Sequence, residues 1–372
     1  MSRDTKNYIP TLDGWRAVAV TGVILFHAPS ISVGGLHFRK LQDLGIYGVS
    51  LFFAISGLLI CGRLLDEENV TGQISLKGFY LRRLFRIQPP AIIFLVILAG
   101  LGMFGIVNCP LWPWISALLS FRNFYTASAG VNEIDRYTHH FWSLAVEEHF
   151  YLVLPLLLIA TKRWRPVVLG AMTIISIMWV FFIRHYYLPL HPAAGERTDL
   201  YAAALLFPAT LAYFIRWEGI NRWVTRWSSL LAVLSMSLFF ASVLVLHNTL
   251  LWLIVICGFP VVLLSTILHP RAFVSQILES RPFKYVGRIS YSVYLWQQLF
   301  VVNSAELANA HKQLQFFQVF PLNLLFLLVA ANTSYFLIER PMLRIGRRLA
   351  TGYLLTTHGG HQPATRGSII ER

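Results

Sequence analysis

The sequence predicts an all-α fold: a polytopic membrane helical bundle of about ten transmembrane helices, with the N- and C-termini cytoplasmic. Three observations carry this. Hydrophobic residues make up 56% of the chain and charged residues 13%, against about 25% charged in a soluble domain. The apolar residues come in blocks near the roughly 20 residues that cross a hydrocarbon core. Basic residues gather in every second gap between those blocks, as the positive-inside rule requires. A net charge of +14 in a soluble chain would point to nucleic acid. Here orientation explains it, and no nucleic-acid partner is expected. The ten-residue alternation of an outer-membrane barrel is absent, which leaves helices to satisfy backbone polar groups in lipid.

Spans are expected at residues 15–31, 46–62, 89–107, 141–160, 167–184, 199–216, 228–246, 249–268, 288–305 and 319–338. With the N-terminus inside, only Arg39, Lys40, Arg122, Arg136, Arg184, Arg197 and Lys312 of the 31 Lys and Arg fall outside. An odd number of spans would undo that asymmetry. Arg16 and His27 sit within or beside the first apolar run, and no small-residue cleavage site follows, so the run reads as a retained span and not a signal peptide. The stretch 111–125 is apolar but short and contains Pro113, which suits a re-entrant or interfacial helix. From about residue 350 the chain is rich in Thr, Gly, His and Gln. The expected organisation is therefore a transmembrane domain over 1–348 and a disordered cytoplasmic tail over 349–372. Cys61, Cys109 and Cys257 have neither metal nor disulfide spacing, and no metal site is expected.

Ionisable residues inside a span are costly and mark candidate functional sites. In LDGWRAVAVTGVILFHA, Arg16 and His27 are eleven residues apart, which places them about 16 Å apart along one helix face. Arginine suits phosphate and histidine suits proton transfer near neutral pH. In FYLRRLFRIQPP, Arg82 and Arg86 share a helical face with Arg83 beside them, and Pro89 and Pro90 mark the entry to the third span. Guanidinium forks bind phosphate in bidentate geometry, although basic clusters here also serve as membrane anchors. In HHFWSLAVEEHFYLVLP, Glu147 and Glu148 lie two turns into an apolar helix flanked by His140 and His149. Adjacent positions point about 100° apart, so the two carboxylates face different surroundings. GVSLFFAISGLLI places Ser50, Ser56, Gly48 and Gly57 where helices pack closely. VGRISYSVYLWQQLF gives the ninth span a patch of Tyr291, Tyr294, Trp296, Gln297 and Gln298, whose amides need partners.

Taken in order, these five segments resemble the motifs of the acyltransferase-3 family, the integral membrane acyltransferases of bacterial sugars and related acceptors. The resemblance runs from LDGWRAVAVTGVILFHA to YFLIERP. Arg16 and His27 match the family's R-x10-H pattern. GVSLFFAISGLLI resembles its G-V-D-L-F-F block with Ser50 in place of the Asp. FYLRRLFRIQPP resembles its basic loop and WSLAVEEHFYLVLP its carboxylate motif. The ninth-span patch resembles S-Y-x-x-Y-L-W-H with Gln297 in place of the His. Any role of that Asp and His is altered or missing in this chain.

The resemblance implies an acyl-CoA donor, most often acetyl-CoA, and a carbohydrate or glycoconjugate acceptor, in the cytoplasmic (inner) membrane. On that reading Arg16, Arg82, Arg83 and Arg86 hold the CoA phosphates. The thin arm follows the first helix towards His27, the general base, with Glu147 or Glu148 orienting or balancing it. Trp142, Ser143, Tyr291, Tyr294 and Gln297 are the candidate substrate contacts. No Ser or Cys has a nucleophile-elbow setting, which favours direct transfer. The rival class is a proton-coupled transporter or flippase for a small solute or lipid-linked sugar. It would use the same buried charges, but such folds are often built on internal repeats, and none is evident.

Overall fold

The computed structural model describes residues 8–29, 32–33, 36–37, 42–129, 136–190, 195–245, 249–303 and 311–357. Residues 1–7 and 358–372, expected on the cytoplasmic side, lie outside the described residues, as do Arg39 and Lys40.

Every expected span has a helix over most of its described length. In chain order the helices are α1 (Pro10–His27), α2 (Tyr47–Thr71), α3 (Leu76–Met103), α4 (Leu111–Leu118), α5 (Arg122–Ala129), α6 (Arg136–His139), α7 (Phe141–Ala160) and α8 (Arg165–Phe182). They continue with α9 (Thr198–Phe214), α10 (Glu218–Val245), α11 (Thr249–Leu268), α12 (Phe273–Leu278), α13 (Arg281–Phe300), α14 (Lys312–Gln318), α15 (Leu322–Ser334) and α16 (Arg340–Thr357). A π-turn over Tyr335–Glu339 joins the last two. Two two-residue strands, β1 (Ser32–Val33) and β2 (Leu36–His37), pair antiparallel between α1 and α2. Among the described residues, 7 helical stretches are long and apolar enough to cross a membrane, and α9 is a shorter apolar helix. The chain is a multi-pass membrane protein with an all-α bundle.

Two expected spans, α1 and α13, fall outside that group. Each carries charges, and each is lodged against the other in the interior. Gly287 of α13 meets the Asp13 carbonyl of α1, and Gly14 meets the Leu278 carbonyl, so close that a Cβ at either glycine would collide with backbone. Small residues allow that approach. On α13 the run from Ser292 to Leu299 is buried throughout. A helix that faces protein on most sides needs less apolar surface than one that faces lipid. On the other side of α1, Gly48 of α2 abuts the Ala19 carbonyl, and Gly57 abuts the Leu205 carbonyl of α9. The order across the centre is therefore α13, α1, α2, α9.

Three local features differ from expectation. Pro89 and Pro90 lie inside α3, not at its start. They remove the donors that the Phe85 and Arg86 carbonyls would otherwise take, yet the helix runs unbroken from its Ser75 cap, whose Oγ accepts the Gly78 N–H at 3.2 Å. The stretch 111–125 divides into α4 and α5, broken at Ser120, which has φ 57. The final helix runs on to Thr357, past residue 348 where a tail was expected, because α16 packs along α3 with Gly346 seated on Phe85.

At one end of the bundle the acidic residues are taken up in ion pairs. Asp13 pairs with Arg16 at 2.8 Å, Asp66 with Arg216 at 2.6 Å, Glu67 with Arg82 at 2.8 Å and Glu68 with Arg165 at 2.5 Å. The first lies within α1; the other three tie α2 to the α9–α10 turn, to α3 and to α8.

Candidate active site

One narrow cavity, of about 80 Å³, opens among α1, α2, α3, α7 and α13. It lies on the seam between the two large apolar clusters. Phe53, Ile55 and Ile60 on its wall belong to one cluster and Tyr294 to the other. Its ends differ chemically. Arg16, Arg83 and Arg86 stand at the end nearest the ion pairs just described. Ser143 and Tyr294 stand towards the other end, where their hydroxyls are 2.6 Å apart. Both also lie within hydrogen-bond distance of the His140 carbonyl, at 3.2 and 3.1 Å. Between the ends, Glu147 accepts from Ser56 Oγ and from Tyr151 OH, each at 2.9 Å. Tyr291 donates to the Ile87 carbonyl at 2.6 Å and so fixes one wall.

The two adjacent glutamates part company. Glu147 faces this cavity. Glu148 faces a second cavity of about 10 Å³, room for roughly one water, where it accepts from Gln88 Nε2 at 2.7 Å and from Ser120 Oγ. The 100° between neighbouring helical positions produces the split. Glu148 joins α7 to α3 and to the α4–α5 break. Glu147 has no ion pair within 4 Å among the described residues; neutral hydroxyls hold it.

The basic run divides in the same way. Arg83 and Arg86 line the cavity, with Arg83 stacked over Tyr151 and Phe79 at 5.2 and 5.7 Å. Arg82 turns to Glu67 and does not line the cavity. His27 is half-buried at the far end of α1 and lines neither cavity. Its Nδ1 sits 2.8 Å from the Val23 carbonyl. A carbonyl only accepts, so Nδ1 carries the proton and Nε2 the lone pair in the neutral ring. Trp142 packs against Tyr201 and Phe53, away from the cavity. Gln297 is 1% exposed and neither amide atom has a partner among the described residues; the Ser50 hydroxyl is likewise buried and unpartnered. Of the expected set, the structure gathers Arg16, Arg83, Arg86, Ser143, Glu147, Tyr291 and Tyr294 around one space. It leaves Arg82, His27, Glu148, Trp142 and Gln297 off that wall.

Several residues on or near the cavity escaped the sequence reading. Ser56, which the sequence offered only as a packing residue, and Tyr151 hold Glu147. Asp13 holds Arg16, and it lies close enough to the start of α1 to look like an ordinary helix-start acid. Glu339, 2% exposed, accepts from Ser292 Oγ at 2.9 Å and lies within electrostatic range of Arg86 and Arg16. A carboxylate in the apolar run YFLIE was the signal that could have found it. Among the described residues no group of His, Cys, Asp and Glu is placed to hold a metal ion.

The fold and the site together define a polytopic membrane bundle around a narrow, partly polar cavity with arginines on its wall. Residues 9–339 match the family model described as an acyltransferase domain, and the chain belongs to the acyltransferase-3 family. The peptidoglycan O-acetyltransferase OatA of Listeria monocytogenes is 28% identical over 323 residues, which cover 79% of this chain and 50% of that protein. The O-acetyltransferase OatA of Staphylococcus aureus strain NCTC 8325 is 27% identical over 366 residues, 92% of this chain and 58% of that one. The chain thus spans between half and three-fifths of these relatives. No solved structure matches it.

Proposed function

We propose that the protein is a membrane O-acyltransferase that moves an acetyl group from cytoplasmic acetyl-CoA to a hydroxyl of a carbohydrate-type acceptor in the inner membrane. The observation that carries this reading is the polarity of the cavity: guanidinium groups at its mouth, hydroxyls towards its other end, and between them a mostly apolar wall that carries Glu147.

CoA is anionic at one end and a thin chain at the other. Arg16, Arg83 and Arg86 suit the phosphates, since guanidinium forks bind them in bidentate geometry. The apolar wall suits the pantetheine arm. The hydroxyls of Ser143 and Tyr294 then lie where the thioester ends. There they can donate to the carbonyl oxygen as it gains negative charge. The acceptor hydroxyl attacks the thioester carbon, the carbon–sulfur bond breaks, and the hydroxyl proton passes to Nε2 of His27 and finally to the departing thiolate. Because His27 stands beyond the cavity, on the outer part of α1, this reading brings the acceptor in from that side. The name of the Listeria relative, a peptidoglycan O-acetyltransferase, suggests a cell-wall glycan as acceptor.

The test is thioester cleavage by the purified full chain, read with acetyl-CoA and a thiol-reactive dye. Turnover is expected in the native protein and a loss of about 100-fold or more in His27→Gln. Full turnover in that variant would remove His27 as the base. Saturable solute flux with no CoA requirement would replace the transferase reading with a carrier.

A further inference from the structure

Arg184 follows α8 at the end of the bundle opposite the ion pairs, since Arg165, at the other end of the same helix, is the partner of Glu68. It lies in a π-turn, Ile183–Tyr187. Such a turn adds a residue to the helical repeat and re-aims the side chains around it: His185 and Tyr186 are exposed, while Arg184 is half-buried. Its guanidinium carbon lies 3.8 Å from the centre of the Trp252 ring, and its Nε is shut off from solvent with no hydrogen-bond partner. Among the described residues no acid pairs with it. Glu196 and Asp199, acids of the same end, are engaged by His139 at 2.7 Å and by Arg197 at 3.0 Å. A half-buried cation without a counter-ion has lost hydration and gained no charge partner, and a bound anion restores the balance.

The indole leads inward. The rings of Trp252, Tyr201 and Phe53 follow one another at 5.6 and 5.4 Å, and Phe53 is on the cavity wall. Trp142, 4.9 Å from Tyr201, and Tyr47, 5.9 Å from Trp252, flank the run, and with Trp252 they are partly exposed. Aromatic faces are negative and the C–H groups of a sugar slightly positive, so such rings suit a saccharide. A guanidinium held over an indole keeps its N–H groups in one plane, where two of them match the two oxygens of a carboxylate. We propose that Arg184 and Trp252 form the outer end of the acceptor site and take the carboxylate of an acidic sugar, while the next sugar of the same glycan lies on the aromatic run towards the cavity. This rests on the acceptor reading above and narrows it: the protein selects acidic glycans over neutral ones of the same shape. It also gives Trp142, which is off the cavity wall, a contact with substrate.

A sugar carboxylate and the phosphate of a lipid headgroup share the chemistry that would occupy Arg184, so the test separates them. The full chain is placed in nanodiscs of neutral phosphatidylcholine and, separately, of anionic phosphatidylglycerol. With acetyl-CoA as donor, it is offered a tetrasaccharide of alternating N-acetylglucosamine and glucuronic acid, or the same tetrasaccharide with its carboxyl groups converted to carboxamides. Acetylated product is counted by mass spectrometry. The native protein is expected to show a KM for the acidic form at least about tenfold below that for the neutral form in both lipids. Arg184→Gln is expected to bring the ratio near one, and Arg184→Lys, which keeps the charge and loses the planar fork, to retain part of it. Equal KM values for the two saccharides with the native protein overturn the inference while leaving the acceptor reading in place, as does an unchanged ratio in Arg184→Gln. A preference present in neutral lipid and abolished by phosphatidylglycerol overturns it in favour of a headgroup occupant. Acetylation of neither saccharide by the native protein overturns the acceptor reading itself, and the inference with it.

Discussion

Glu147 and Glu148 are neighbours in sequence and opposites in setting. Glu147 is held by two hydroxyls on the wall of the cavity that contains Arg16 and Arg86. Glu148 is held by Ser120 and Gln88 in a space with room for roughly one water. The two substitutions should therefore fail differently. Glu147→Gln keeps the shape of the wall and replaces the carboxylate between the arginines and the hydroxyls, so turnover of acetyl-CoA should fall with little change in thermal unfolding. Glu148→Ala leaves the Gln88 amide and the Ser120 hydroxyl without their acceptor and should cost about 1–3 kcal/mol of stability. Its turnover below the unfolding temperature should stay within about threefold of native. Thermal unfolding in detergent and thioester turnover, measured on the same samples, check both. Equal behaviour of the two variants would contradict the separation of roles. The sequence showed that both carboxylates avoid lipid, because charge in hydrocarbon is costly. It did not assign them, because that depends on which helices lie on either side of α7.

At the scale of elements, the closest helix contact is between α1 and α13, where Gly287 sits on the Asp13 carbonyl. That contact sets the height of Arg16 relative to Ser290, Tyr291 and Tyr294 across the cavity. Gly287→Val should push the helices apart, lower stability by about 1–3 kcal/mol and weaken CoA binding even where the fold survives. Thermal unfolding and CoA titration read the two effects separately, and native values in both would show that the contact does not position the site. The helices themselves were legible: each of the ten expected spans has a helix over most of its described length, and most needed only a long apolar block. Their partners were not. The order α13, α1, α2, α9 rests on single glycines: Gly48 meets Ala19 of the preceding helix, but Gly57 and Gly287 meet Leu205 and Asp13, far away in sequence. Arg82 looked equivalent to Arg86 by helical spacing, and only the arrival of Glu67 from α2 turns it aside. The break between α4 and α5 rests on the positive φ of Ser120, for which an apolar stretch carries no signal.

At the scale of the whole molecule, ion pairs and surplus arginines collect at one end, hydroxyls stand deeper in the cavity, and His27 lies beyond them. The proposed reaction runs along that axis: phosphates at the cytoplasmic end, acetyl group inside, acceptor from the far side. An acetyl-CoA analogue with a photoreactive acyl group tests the arrangement most directly. It would be irradiated on the full chain in nanodiscs, and the labelled peptides identified by mass spectrometry. The account predicts labelling on α7 and α13 around Ser143 and Tyr294, suppressed by excess CoA. Labelling confined to the lipid-facing residues of α8 or α10, or labelling at Ser143 and Tyr294 that CoA leaves unchanged, would contradict it.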